Sequence, residues 1–83
     1  MSKITIYTTD YCPYCVRAKA LLQRKQVGFE EIKITNDEMR EAMIAKSGGK
    51  RTVPQIFIGK NHIGGCDDLY ELDRQKKLDE LLQ

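Results

Sequence analysis

The sequence predicts an α/β fold, a four-stranded mixed β-sheet flanked by helices in the order β-α-β-α-β-β-α, from three observations. The hydrophobic period lengthens from strand-like to helical at Pro13. Gln55 to Ile58 is apolar on both faces, as a central strand should be. Glycines after each periodic segment, at Gly28, Gly48-Gly49, Gly59 and Gly64-Gly65, mark where the elements turn. With 83 residues the chain has room for one compact domain and not for two, so residues 1–83 are read as a single domain.

Each element follows from its residues. Ile4, Ile6 and Tyr7 lie in a β-favouring run that ends at Thr8-Thr9-Asp10, giving a strand over Lys3 to Thr8. From Pro13, Ala18, Leu21 and Leu22 share one helical face while Arg17, Lys19, Gln23 and Arg24 occupy others, and Gly28 is the expected stop. Phe29 to Ile34 is a second strand, returning parallel after one helix as a βαβ unit, whose crossover is almost always right-handed. Thr35-Asn36-Asp37-Glu38 reads as a capping box with Thr35 as N-cap. It opens a helix with Met39, Ala42 and Met43 inward that ends at Ser47-Gly48-Gly49. After Gln55 to Ile58, Gly59-Lys60-Asn61 is a hairpin turn into His62-Ile63, so the last two strands are antiparallel. Gly64-Gly65 makes the next bend, Asp67 or Asp68 caps a helix using Leu69 and Leu72, and Leu78, Leu81 and Leu82 give the tail an apolar face.

Composition excludes several classes of function. The net charge of +2 comes from signs mixed along the whole chain, which leaves no electrostatic footprint for nucleic acid or membrane. A small anionic substrate remains easy to accommodate. Met-Ser-Lys-Ile-Thr-Ile has no long apolar segment and no cleavage signature, and no stretch approaches a membrane span, so a cytoplasmic protein is expected. Three cysteines cannot all pair within one chain, and Cys12 and Cys15 close a loop too small to restrict the unfolded state much. In a reducing compartment such a pair is more often catalytic or metal-binding than structural.

Cys12 falls at the N-terminal edge of the first helix, where unsatisfied backbone N–H groups and the helix dipole favour a thiolate. Pro13 suits the first helical turn, where its missing N–H costs nothing. Cys15 follows about one turn later, deeper than Cys12. That geometry makes Cys12 the attacking sulfur and Cys15 the resolving one. A competing arrangement joins the pair with His62 and Cys66 as a Cys₃His zinc set. Against it, a C-x-x-C that opens a helix inside a βαβ unit is the context of a thioredoxin-like redox motif. His62 is otherwise expected as an exposed strand residue, and Cys66 as a small residue at a helix start whose exposure leaves it open to oxidation.

Cys12-Pro13-Tyr14-Cys15, Thr52-Val53-Pro54 and Gly64-Gly65-Cys66-Asp67-Asp68, in this order and spacing, closely resemble a dithiol glutaredoxin of the small bacterial type. The match runs from the first strand to the last helix. The resemblance implies a thioredoxin-like fold and a monomeric glutathione-disulfide oxidoreductase without a metal. Its partners would be glutathione, glutathionylated proteins and protein disulfides such as that of ribonucleotide reductase. It also implies a cis Pro54 facing the cysteines, with the Val53 backbone pairing with the cysteinyl part of glutathione as a short β-augmentation. Thr52 belongs to the same motif. The start of the third helix, at Gly65, Cys66 and Asp67, would hold the γ-glutamyl end, with N–H groups for its carboxylate and Asp67 for its ammonium. Arg40 and the Tyr14 hydroxyl are the candidates for the glycyl carboxylate.

One position departs from the pattern. Relatives commonly carry a lysine three residues before the nucleophile, where this chain has Thr9 followed by Asp10. A neutral residue and a nearby anion stabilise a thiolate less, and Lys50 and Arg51, just before the glutathione loop, are placed to compensate. Some relatives bridge an iron–sulfur cluster through the first cysteine and glutathione. Those usually carry Gly-Phe-Ser after that cysteine, and Pro13-Tyr14-Cys15 argues against this second activity.

Overall fold

The computed structural model describes residues 3–82. Met1 and Ser2, the start of the segment expected to carry no leader, and Gln83 lie outside the described residues. The elements run β1 (Ile4–Thr8), α1 (Pro13–Arg24), β2 (Glu30–Lys33), α2 (Asp37–Lys46), β3 (Gln55–Ile58), β4 (Asn61–Gly64), α3 (Cys66–Arg74) and α4 (Leu78–Leu82). The strands form one four-stranded mixed sheet in the order β2-β1-β3-β4. β1 pairs parallel with β2 and antiparallel with β3, and β3 pairs antiparallel with β4. This is the expected thioredoxin-like architecture, with one short helix added at the end.

Strand alternation divides the core between the two faces of the sheet. Ile4, Ile6, Ile56 and Ile58 pack with Ala18, Leu21 and Leu22 of α1, Leu69 of α3 and Leu78 of α4. Tyr7 and Phe57 point the other way, onto Ile34, just past β2, and Met43 of α2, with their rings edge to face at 5.8 Å. β3 is buried along its whole length, as its doubly apolar sequence requires.

The ends of the helices differ from the sequence expectation at several points. α1 stops at Arg24 rather than running to Gly28, because Gln26 adopts the left-handed conformation (φ 60°) and donates its N–H to Gln23 O at 3.0 Å. Asn36, not Thr35, caps α2, its Oδ1 accepting the Met39 N–H at 2.9 Å. Asparagine is the stronger N-cap, and Thr35 turns its hydroxyl to Met39 Sδ instead. Ala42 is exposed and Ile44, the larger apolar side chain, joins Met39 and Met43 against the sheet. The N-cap of α3 is Gly65, so neither aspartate is the cap itself. The three tail leucines form α4, set off from α3 by Lys76 in the left-handed conformation (φ 62°). Lys25 ties the end of α1 to α3 and α4, with Asp73 at 2.6 Å and Asp79 at 3.0 Å.

Candidate active site

The sheet brings three segments together: the loop leaving β1, the loop entering β3, and the bend between β4 and α3. Cys12 is the N-cap of α1. Its Sγ accepts the Cys15 N–H at 3.1 Å, a bond that stabilises negative charge on that sulfur at the positive end of the helix. The Cys12 and Cys15 sulfurs are in disulfide contact, with their Cα atoms 5.2 Å apart. Cys15 is 2 % exposed, whereas Cys12 is half-buried, so the first sulfur faces the surface and the second lies behind it.

Across from Cys12 stands the loop before β3. The Val53–Pro54 peptide bond is cis, as expected, and the Val53 carbonyl oxygen is 3.9 Å from Cys12 Sγ. The loop is held by Gln55, which is 2 % exposed. Its Nε2 donates to Thr52 O at 2.9 Å and to Thr52 Oγ1 at 3.2 Å, which leaves Oε1 to accept from His62 Nε2 at 2.7 Å. His62 is therefore half-buried and tilted against Phe57, not the exposed strand residue expected, because Gln55 needs its second partner. A polar residue at the head of an otherwise apolar strand is the sequence signal for this role of Gln55.

The third wall is the start of α3. β4 carries a bulge where Ile56 pairs with Gly64 and Phe57 with His62, and Gly64 takes φ 122°. A Cβ at Gly64 would collide with the Asp68 carboxylate, so glycine is required there on both counts. Asp68 Oδ2 accepts the Gly65 N–H at 2.9 Å. Gly65 has no side chain to bond the N–H groups at the start of α3, in contrast with α1 and α2, whose caps are Cys12 and Asn36. That helix end keeps its donors and its positive dipole for a ligand.

Tyr14, Thr52, Val53, Pro54, Gly65, Cys66 and Asp67 all line one groove of about 360 Å³, together with Lys50, Gln55, Gly64 and Asp68. Arg17 lies between the Tyr14 and Tyr70 rings, 6.0 and 5.8 Å from their centroids, and orients the Tyr14 ring by cation–π attraction. Arg40 is not among the groove's walls. Its Nη1 donates to Arg51 O at 3.3 Å beside the loop, while Lys50 faces the groove. Asp10, the anion two residues before Cys12, is paired with Lys33 at 3.1 Å, which offsets its effect on the cysteine.

Cys66 is 4 % exposed and packs in the main core cluster, which corrects the expectation of an exposed, oxidation-prone thiol. Its burial pushes the thiol pKa up. The zinc arrangement does not assemble either. His62 is bonded to Gln55, Cys66 is in the core, and no group of three or more His, Cys, Asp or Glu side chains gathers among the described residues. No helix among them is long and apolar enough to cross a membrane.

The glutaredoxin family profile matches residues 4–63. Glutaredoxin 1 of Rickettsia typhi is 57 % identical over 82 residues, covering 96 % of this chain and 79 % of that protein. Glutaredoxin 3 of Escherichia coli K12 is 52 % identical over 83 residues and the full length of both chains. Among solved structures, the solution structure of glutaredoxin from Brucella melitensis matches with a TM-score of 0.87 at 54 % identity, covering 99 % of this chain and 89 % of that one. The crystal structure of a buckwheat glutaredoxin–glutathione complex also matches with a TM-score of 0.87, at 33 % identity, covering 98 % and 76 %.

Proposed function

The chain belongs to the glutaredoxin family of thiol–disulfide oxidoreductases, and from that premise we propose that it uses glutathione to reduce protein–glutathione mixed disulfides and protein disulfides. The observation that carries the reading is the meeting of Cys12 Sγ with the Val53 backbone at the head of a groove that ends at the uncapped start of α3.

Glutathione would lie along that groove with its cysteinyl backbone paired to Val53 beside Pro54 and Thr52. Its γ-glutamyl carboxylate would take the free N–H groups following Gly65, at Cys66 and Asp67, and its ammonium the Asp67 carboxylate. Tyr14 and Lys50 would receive the glycyl carboxylate. Arg40, whose Nη1 donates to the Arg51 carbonyl, would support the loop beside them.

Held this way, the glutathione sulfur of a mixed disulfide faces Cys12. The Cys12 thiolate attacks it, the old disulfide breaks, and the protein leaves as a thiolate that takes a proton from water. A second glutathione thiolate then attacks the glutathione sulfur on Cys12, releasing glutathione disulfide and regenerating the Cys12 thiolate. For a protein disulfide, Cys12 attacks first and Cys15 displaces the substrate, leaving Cys12–Cys15 to be reopened by two glutathione molecules. Glutaredoxin potentials of roughly −200 to −230 mV lie near the glutathione pool of a reducing cytoplasm, which keeps the exchange reversible. The unit carrying this chemistry is the whole chain acting as one domain and one monomer, with protein disulfides such as that of ribonucleotide reductase among its substrates.

The test is glutathione-dependent reduction of a glutathionylated protein by wild type, Cys12→Ser and Cys15→Ser. Activity lost in the first variant and kept in the second supports the assignment. Equal loss in both requires the dithiol route, and an inactive wild type refutes glutathione dependence.

A further inference from the structure

Three successive carbonyls of the loop before β3 are each held by a side chain: Lys50 O by Ser47 Oγ at 3.1 Å, Arg51 O by Arg40 Nη1 at 3.3 Å, and Thr52 O by Gln55 Nε2 at 2.9 Å. The third contact continues to another residue, because Gln55 Oε1 meets His62 Nε2 at 2.7 Å. Turning the Gln55 amide over would set its oxygen against the Thr52 carbonyl, so the oxygen faces His62 and the ring carries a proton on Nε2. The neutral Nε2–H ring and the imidazolium both donate there, and the link holds whatever the charge of the ring.

The sheet fixes His62 in turn. It sits opposite Phe57 in the ladder, beside the bulge, and its ring packs on the Phe57 ring with centroids 4.9 Å apart. Gln55 and Phe57, two positions apart on one strand, share a face, so a ring held on Phe57 reaches the Gln55 amide. At the other end, Thr52 Oγ1 accepts the second Gln55 Nε2 proton at 3.2 Å. With that lone pair taken, the hydroxyl keeps its own hydrogen for an acceptor, and Thr52 lines the groove. The peptide that follows carries the Val53 carbonyl, 3.9 Å from Cys12 Sγ.

We propose that His62 is a positioning residue for glutathione: through Gln55 it holds Thr52 with its hydroxyl hydrogen offered to the groove and with the next peptide placed for Val53 to pair with the tripeptide. This rests on the glutathione reading above and deepens it. His62 is not among the walls of the groove, so its effect falls on binding and not on the exchange of sulfurs.

The test compares wild type with His62→Phe, which keeps a ring against Phe57 but cannot donate, and with His62→Gln, whose amide nitrogen can stand where the imidazole Nε2 stood. The readouts are KM and kcat for a glutathionylated peptide, the urea midpoint, and the rate at which dithiothreitol reduces the Cys12–Cys15 disulfide, a reaction that makes no use of the groove. His62→Phe should raise KM about fivefold, the size of one lost hydrogen bond, with kcat and the dithiothreitol rate within about twofold of wild type. His62→Gln should bring KM back to within about twofold. In a Gln55→Leu background, His62→Phe should add nothing further to KM, because the relay is already cut. A merely structural role would lower the urea midpoint and leave KM alone, and that result would overturn the proposal. So would losses shared equally by KM, kcat and the dithiothreitol rate, or effects of Gln55→Leu and His62→Phe that simply add. A wild type that does not saturate with the glutathionylated peptide, though dithiothreitol still reduces its disulfide, would refute the glutathione reading and this inference with it. Saturation in wild type with an unmoved KM in His62→Phe would refute this inference alone.

Discussion

Asp68 Oδ2 accepts the Gly65 N–H at 2.9 Å, so one of two adjacent aspartates is committed to holding the first turn of α3 while its neighbour is left exposed in the groove. This half of a capping box has a measurable worth. Asp68→Ala should destabilise the protein by about 1 kcal/mol, seen as a lower urea midpoint at unchanged slope. Asp67→Asn should leave that midpoint within about 0.5 kcal/mol and instead raise the KM for a glutathionylated substrate severalfold. The opposite division of effects would exchange the two roles.

The amide of Gln55 bridges the loop and the last strand, and it has no access to water that could replace its partners. Gln55→Leu keeps the size but removes every bond to Thr52 and His62. The expected cost is about 1–3 kcal/mol of folding free energy, read from urea unfolding. A second consequence is weaker glutathione-dependent turnover, because the carbonyl side of Thr52 loses its anchor. Unchanged stability would mean that water enters and takes over the three bonds.

The strand alternation, the doubly apolar β3 and the helix opened by Cys12 and Pro13 were all legible in the residues, because each depends on local period or local capping. What was not legible depended on competition or on distant partners. Thr35 and Asn36 are both good caps, and only the better acceptor wins; Ala42 and Ile44 lie on either side of Met43, and the larger side chain takes the sheet-facing place. Cys66 reads as a surface residue at a helix start, yet the bulge in β4 turns that start inward against Leu69 and the β3 isoleucines. The pairing of Asp10 with Lys33 joins the loop after β1 to the end of its parallel neighbour, and no sequence spacing announces it. Family resemblance supplied the glutathione residues, and of these Arg40 is the one that the groove leaves out.

Beneath the cysteines, Thr8 Oγ1 donates to Glu31 Oε2 at 2.7 Å and Lys19 Nζ approaches the same oxygen at 3.0 Å. The Thr8 bond foremost, and then Lys19, hold the Glu31 carboxyl below its ordinary range. A depressed folded-state value stabilises the protein at pH values above the unfolded carboxyl's titration, and that contribution disappears as pH falls through the folded value. Thr8→Val keeps the shape and removes the donor, and should cost about 1 kcal/mol at neutral pH, a charged hydrogen bond discounted for partial exposure. The gap from wild type should close as pH is lowered below the ordinary carboxyl range and through the depressed folded-state value. Urea unfolding from neutral pH into the acid range checks it, and a gap independent of pH would assign the effect to packing of Thr8 rather than to Glu31's charge.

The buried Cys66 thiol should be the least reactive of the chain's three cysteines. Desolvation raises its pKa, and Asp67 adds to that, outweighing the opposing field of Arg17. Thiolate is thus scarce at Cys66 at neutral pH, and its sulfur is also out of reach of reagent, so the two effects multiply. In fully reduced protein, iodoacetamide should label Cys12 first, with Cys66 at least about a hundredfold slower than in urea, where both protections vanish. Mild peroxide should accordingly produce the Cys12–Cys15 disulfide and leave Cys66 as a thiol. Peptide mapping by mass spectrometry decides the matter. Prompt labelling of Cys66 in the native protein would show that the start of α3 opens locally, and the helix end assigned to the γ-glutamyl carboxylate would then be a moving target rather than a preformed site.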